Sequence, residues 1–329
     1  MIDRRTAMGA WLAGLVCLPR LAAAQAAGRV YRVGILRPTA PPVPAADWMA
    51  AGIPAALREI GYVEGRNLAI DARWAAGELD RLPALARELV QAKVDVILAV
   101  GAAAVRAAKD ATAAIPIVMW GNFDPVGLGL VASLAQPGGN VTGVLIAPDG
   151  TLAGKKLELL KAAVPRATRM ALLAPEDPGF RLQVQEARTA AVALGIDLQV
   201  TEVRGGDYER AFAAIAAQRP GALFVGAHTS FSRDRAPIIA LAAKHRLPAV
   251  YEWREQVADG GLMSYGSSLP FLYQRLATYI DRILKGANPG TMAVEQPTRF
   301  ELVINRKTAK ALGLAIPQSL LLRADEVME

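Results

Sequence analysis

Gly127, Gly129 and Ala132 stand in the order G-x-G-x-x-A, and Asp149 follows about 20 residues on, where a dinucleotide site carries its ribose-binding acid. The chemistry on offer is a pyrophosphate cradle, in which glycines let backbone N–H groups at a helix start approach the phosphates. That geometry needs the first glycine in the turn directly after a strand. Here Asp124-Pro125 comes first, and Asp at an N-cap followed by Pro at the first helical position starts a helix there. The expectation is a helix running to the Gln136-Pro137-Gly138-Gly139 stop, with Gly127 and Gly129 inside its first turns, too late to form the turn. Glycine costs about 1 kcal/mol against alanine in a helix, so close packing of helix on sheet is the other reason for these residues. The fingerprint leaves an exported nicotinamide-dependent oxidoreductase as an alternative function.

Other chemistry-bearing residues are few. His228 and His245 are the only histidines, far apart and without a ligand-spaced neighbour, so no metal site is expected. There is no H-E-x-x-H, no G-x-S-x-G elbow and no P-loop. Cys17 is the only cysteine. Neither a cofactor nor enzymatic turnover is expected.

The elements that would position a site begin after a leader. Residues 1–25 read MIDRRTAMGAWLAGLVCLPRLAAAQ: a basic start at Arg4-Arg5, an apolar stretch from Ala7 to Leu18, and Ala22-Ala23-Ala24 as an A-x-A cleavage site. This is a secretory signal, cut near Ala24, and its apolar stretch is too short to span a bilayer. The twin-arginine route stays open beside the general one, although Thr6-Ala7-Met8 lacks the usual Phe-Leu. Val16 is too bulky for a lipobox, so cleavage removes Cys17 and leaves neither disulfide nor thiol nucleophile. A periplasmic location follows. Net charge is +7; the leader holds three arginines against Asp3, leaving +5, scattered over helical faces such as Arg81, Arg87 and Lys93. Nothing there suggests nucleic acid.

Beyond residue 29, β-branched runs alternate with alanine- and leucine-rich stretches of helical period. Strands are expected at 30–36, 68–74, 94–100, 115–120 and 141–146, then at 169–174, 196–203, 222–226, 248–252 and 261–266. Runs apolar on both faces, separated by helices of 10 or more residues, describe parallel sheets covered on both sides. The fold class is therefore α/β, with two doubly wound parallel-sheet lobes dividing near Ala147-Pro148-Asp149-Gly150. Ligands of such sheets bind outside the carboxyl ends of the strands, and two sheets facing each other make a cleft.

The stretches DPVGLGLVASLAQPGGNVTG, LREIGYVEGRNLAIDARWAAGELDRLPALARELV, GKKLELLKAAVP and ADGGLMSYG, with the long tail from YIDRILKGANPG to LLRADEV, resemble the ABC-transporter substrate-binding proteins, a family that includes tryptophan-binding-type lipoproteins. The resemblance runs from about Tyr31 to Val327. It implies a type I periplasmic-binding-protein fold, a small-molecule ligand in the cleft, hinge closure and delivery to an ABC permease in the inner membrane, with amino acids as the ligand class. A receptor feeding a sensor kinase stays an alternative, and a monomer is expected. The first lobe would take residues 30–146 and regain about 266–297; the second would take 147–265 and regain about 298–329.

For an amino-acid ligand, the carboxylate wants N–H donors at a helix start and the ammonium wants an acid or aromatic faces. Gly101 and Ala102 open a helix after a strand and either supply such donors or form a plain turn. Ala102, Ala103 and Ala104 stand where hydroxyls strengthen carboxylate binding in other type I proteins, which either counts against an amino-acid ligand or leaves the N–H groups to act alone. Glu252 is the first candidate for the ammonium and Asp124 the second. Tyr251, Phe123, Trp120 and Trp253 can stack; Asn122, Thr229 and Ser230 are polar loop candidates; Arg37 can meet an anion. Each has a structural alternative in core packing or a solvated loop.

Overall fold

The computed structural model describes residues 29–41, 48–147 and 151–329. The leader with its cleavage site, and Asp149, lie outside the described residues.

Five strands, β1 (Tyr31–Arg37), β2 (Leu68–Trp74), β3 (Val96–Val100), β4 (Ile117–Gly121) and β5 (Val141–Leu145), form one sheet in the order β2-β1-β3-β4-β5. Every pair in it is parallel. Both faces are covered, so β3 and β5 are buried at all five positions, as their unbroken apolar runs require. Helices α1 (Trp48–Glu59), α2 (Leu82–Gln91) and α3 (Ala102–Ala111) connect the first four strands.

The chain then passes through α4 (Thr151–Ala163) into a second sheet. Its strands are β6 (Arg169–Pro175), β7 (Asp197–Val203), β8 (Ala222–Val225), β9 (Ala249–Tyr251), β10 (Met263–Gly266), β11 (Glu301–Asn305) and β12 (Glu326–Met328), in the order β12-β11-β10-β9-β8-β6-β7. One pair departs from the expected all-parallel sheet: β10 and β11 are antiparallel. The helices here are α5 (Arg181–Ala193), α6 (Tyr208–Ala217), α7 (Thr229–Arg233), α8 (Arg235–Lys244) and α9 (Arg254–Ala258).

After β10 the chain returns to the first sheet. Helix α10 (Leu269–Leu284) buries Leu272, Leu276, Ile280 and Ile283 along one stripe, and these side chains join the core of Val33, Val96, Val118 and Val144. Glu295 then bridges to the edge strand β5. Past it, β11 rejoins the second sheet, followed by α11 (Arg306–Leu312) and α12 (Gln318–Leu321). Asn305 caps α11 by accepting from Thr308 N–H at 2.9 Å. Each sheet thus has its own two-sided core, and the chain crosses between them on either side of α10.

Candidate functional site

Spatial order reverses once in each sheet: β1 lies between β2 and β3, and β6 between β7 and β8. At such switch points neighbouring connections leave in opposite directions and open a crevice at the strand ends. A cavity of about 410 Å³ lies there, within the usual range for small-ligand pockets. Pro38, Thr39, Gly101 and Ala102 reach it from one lobe and Asp177, Ala227 and His228 from the other.

On the first-lobe side the wall is mostly backbone and apolar surface. Gly101 precedes α3 with φ 85°, which favours glycine, and brings no capping side chain. The first intrahelical bond is Val105 N–H to the Gly101 carbonyl at 3.1 Å. The N–H groups of Ala102, Ala103 and Ala104 precede it and present the positive end of the helix dipole. Trp120, Gly121, Asn122 and Phe123 complete this wall.

The second-lobe wall is a polar network. Asp177 accepts from Gly179 N–H at 2.7 Å, and its other oxygen lies 3.1 Å from His228 Nε2. His228 Nδ1 faces both the N–H and the hydroxyl of Ser230, at 3.3 and 2.7 Å. A backbone N–H only donates, so Nδ1 is the acceptor and Nε2–H donates to Asp177. Burial pushes the Asp177 carboxyl up, but the hydrogen bond and electrostatic attraction of His228, with the hydrogen bond from Gly179, outweigh it and hold the group below the usual carboxylate range. Farther along, Arg233 contacts both oxygens of Asp234 at 2.6 Å, and Tyr208 donates to Asp234 at 2.6 Å. Burial first, then Asp234, drive the Tyr208 hydroxyl upward, which keeps it a donor.

Gly179 stands where the lobes meet. A methyl there would sit 3.5 Å from the Ala102 side chain and 3.2 Å from an Asp177 oxygen. The Asp177 carboxylate and the start of α3 therefore adjoin one another across the cleft, a negative group beside a positive helix end. Aromatic rings flank them, among them Phe123, Phe180, Phe231 and Trp253. Trp253 belongs to the loop after β9 yet packs into the first-lobe core, while its indole N–H donates to Ser232 at 3.0 Å.

Of the residues expected at the site, Gly101, Ala102, Asn122, Phe123 and Thr229 line the cavity, as do Trp120, Ser230 and Trp253. The structure places four others elsewhere. Arg37 is buried, with its guanidinium over the Trp74 ring at 5.3 Å. Asp124 spends its carboxylate on Val126 and Gly127 N–H, both at 3.0 Å. Tyr251 is buried in a second-lobe core with Phe231 and Leu223. Glu252 forms a fully buried ion pair with Lys156 of α4, away from the cavity lining. Asp177, Phe180, Tyr208 and Asp234 line the cavity although sequence reasoning did not single them out. Asp177 ends a strand-end loop that the alternation does mark, and His228 drew attention only as a metal ligand. Among the described residues no group of three or more His, Cys, Asp or Glu is placed to hold a metal.

The helix expected from Asp124 does not form. Residues 125–129 make a turn, with Leu130 N–H bonded to the Pro125 carbonyl at 2.8 Å. Gly129 adopts φ 64°, which reverses the chain, and Lys109 of α3 takes the carbonyls of Gly129 and Leu130, both at 2.9 Å. A side chain at Gly127 would collide with the Asp124 carboxylate. Neither glycine lines the cavity, so the dinucleotide fingerprint is a packed turn.

Comparison with known proteins gives a consistent relationship. The family model described as ABC transporter substrate binding protein matches residues 40–328. The tyrosine-binding protein of Clostridioides difficile is 26% identical over 273 residues, covering 82% of this chain and 78% of that one. Among solved structures, a conserved domain protein from Vibrio cholerae O1 biovar El Tor superposes with a TM-score of 0.81 at 27% identity, over 91% of this chain and 100% of the other. An ABC domain from Streptococcus pneumonia in complex with L-Trp gives 0.80 at 26% identity, with the same coverage.

Proposed function

Because this chain belongs to the ABC transporter substrate-binding protein family, with its type I periplasmic binding fold, we propose that it is an exported receptor that hands an aromatic amino acid to an ABC permease. The observation that carries this reading is the adjacency at Gly179: one cavity holds a carboxylate and a helix start side by side, flanked by aromatic rings. An amino acid's ammonium and carboxylate are just such neighbours. The ammonium meets Asp177, the carboxylate meets the N–H groups of Ala102 and Ala103, and the ring enters the aromatic part of the cavity. The tyrosine and tryptophan of the relatives' names support this ligand class. The leader supports export, and hinge closure between the lobes would complete the cavity around the ligand before the monomeric receptor meets the permease.

Charge-assisted hydrogen bonds contribute about 1.5–3 kcal/mol each, and three or four of them net of ordering costs suit micromolar affinity, near −8 kcal/mol. A thermal-shift series on protein refolded to strip bound ligand tests the reading, with tryptophan, tyrosine, phenylalanine, leucine, a sugar and a nucleoside as probes. At ~100 times its dissociation constant a ligand stabilises by ~2.7 kcal/mol, several degrees in Tm. The aromatic amino acids should give that shift and the sugar none. A response to the sugar or nucleoside alone overturns the reading.

A further inference from the structure

The charges around the cavity are lopsided. Glu78, Glu176, Asp177 and Asp234 line it against one guanidinium, Arg233, which is committed to Asp234. Glu78 and Glu176 sit at the solvated rim, with side chains 71% and 60% exposed, and face Arg81 and Arg204 at 4.0 and 3.9 Å, which leaves Asp177 as the carboxylate without an arginine partner among the described residues. Asp177 is the inward carboxylate, with its side chain 22% exposed. Its two hydrogen bonds come from the Gly179 backbone N–H and from His228 Nε2, and donors to a carboxylate favour its charged form.

The opposite wall adds an acceptor. Asn122 lines the cavity, and its buried Oδ1 has no hydrogen-bond partner among the described residues. A buried acceptor left in that state is costly, and a turn of the amide toward the cavity would let a ligand N–H satisfy it. Against these acceptors, the first turn of α3 carries only alanine side chains, so the helix start itself offers an anion backbone N–H groups alone. The cavity thus offers positive charge an ionised side chain, Asp177, and offers negative charge the N–H groups of α3 with neutral donors such as Thr39 and Ser230.

We infer that the cleft reads its ligand first through an ammonium group, and so takes arylalkylammonium ions as a second ligand class beside aromatic amino acids while rejecting the corresponding deaminated acids. Asp177 and Asn122 are the specificity-determining residues, and the aromatic rings suit a cation's neighbour as well as a ligand's own ring. The inference rests on the amino-acid reading of this cavity and splits its head group into two separable halves.

Calorimetric titration of ligand-stripped protein with L-tryptophan, tryptamine and 3-indolepropionate tests it. Tryptamine should bind roughly 100-fold more weakly than L-tryptophan, and 3-indolepropionate should be weaker than tryptamine by roughly 30-fold or more. Asp177→Asn should bring the amine-to-acid ratio close to one. Asn122→Leu should weaken tryptamine by about tenfold and leave the acid unchanged. Circular-dichroism melting of both variants checks that they fold, and the wild-type ratio stands without them. An acid that binds as well as the amine overturns the inference, as does L-tryptophan binding while tryptamine stays silent. Tryptamine binding while L-tryptophan stays silent upholds it and removes the amino-acid reading instead. Silence from all three overturns both, and an amine-to-acid ratio unmoved by Asp177→Asn overturns the assignment to that residue.

Discussion

Two carboxylates stand just past strand ends of the second sheet, Asp177 after β6 and Glu252 after β9, and they have opposite fates. Asp177 faces the cavity and is fixed by a histidine and a backbone N–H. Glu252 has a side chain only 2% exposed and is closed off by Lys156 from α4, itself 1% exposed. The same residue chemistry at the same kind of topological position therefore gives a cavity-lining carboxylate in one place and a sealed core contact in the other. What separates them is the element packed above the strand end: the cleft over β6, a helix over β9.

That contrast can be broken most forcefully through Lys156. Lys156→Met leaves the Glu252 carboxylate buried without its partner, and its Oε1 already lacks a hydrogen bond among the described residues. Stability should fall by about 3–5 kcal/mol in urea unfolding, while the double change Lys156→Met with Glu252→Leu should recover most of the loss. Ligand affinity of the folded protein should stay unchanged in both. A large affinity loss would bring Glu252 back into the recognition machinery.

Acid titration gives a smaller effect. Because folding depresses the Asp177 carboxyl, the stability it contributes is present above its unfolded pKa of about 3.9 and is lost as pH falls through its lower folded value. Unfolding free energy measured between about pH 4 and pH 2 should therefore decline less steeply in Asp177→Asn than in the wild type. Identical slopes would mean that the His228 contact does not hold the carboxylate in its charged form.

The smallest effect belongs to the rim. Glu78 has a side chain 71% exposed and lies 4.0 Å from Arg81. Glu78→Gln should change affinity by less than about twofold and act mainly on the association rate and its salt dependence. A tenfold loss in stopped-flow affinity would move Glu78 from the rim into the site.

The layered α/β architecture was legible because buried parallel strands such as Val96–Val100 are apolar at every position, and all ten expected strands form within a few residues of their places. The pairing of β11 and β12 was not read, since both are short strands set among turns and polar residues. The supposed helix after Asp124 failed for a local and a distant reason. Asp124 does cap the following N–H groups, but Gly129 turns left-handed and Lys109 takes the carbonyls that a helix would have used internally. The lining of the candidate cavity was partly legible. Gly101, Ala102 and Asn122 follow from strand-end position alone. That Glu252 is closed off from the cavity depends on Lys156, 96 positions earlier, lying against it, and sequence periodicity carries no such contact.

Calorimetric titration of an aromatic amino acid into ligand-stripped wild type and Asp177→Ala, with Glu252→Gln as the matched control, tests the central claim. The account predicts one site of micromolar affinity in the wild type, a loss of roughly 30- to 100-fold in Asp177→Ala, and no change beyond about twofold in folded Glu252→Gln. Equal affinity in wild type and Asp177→Ala, or a loss confined to Glu252→Gln, would contradict it.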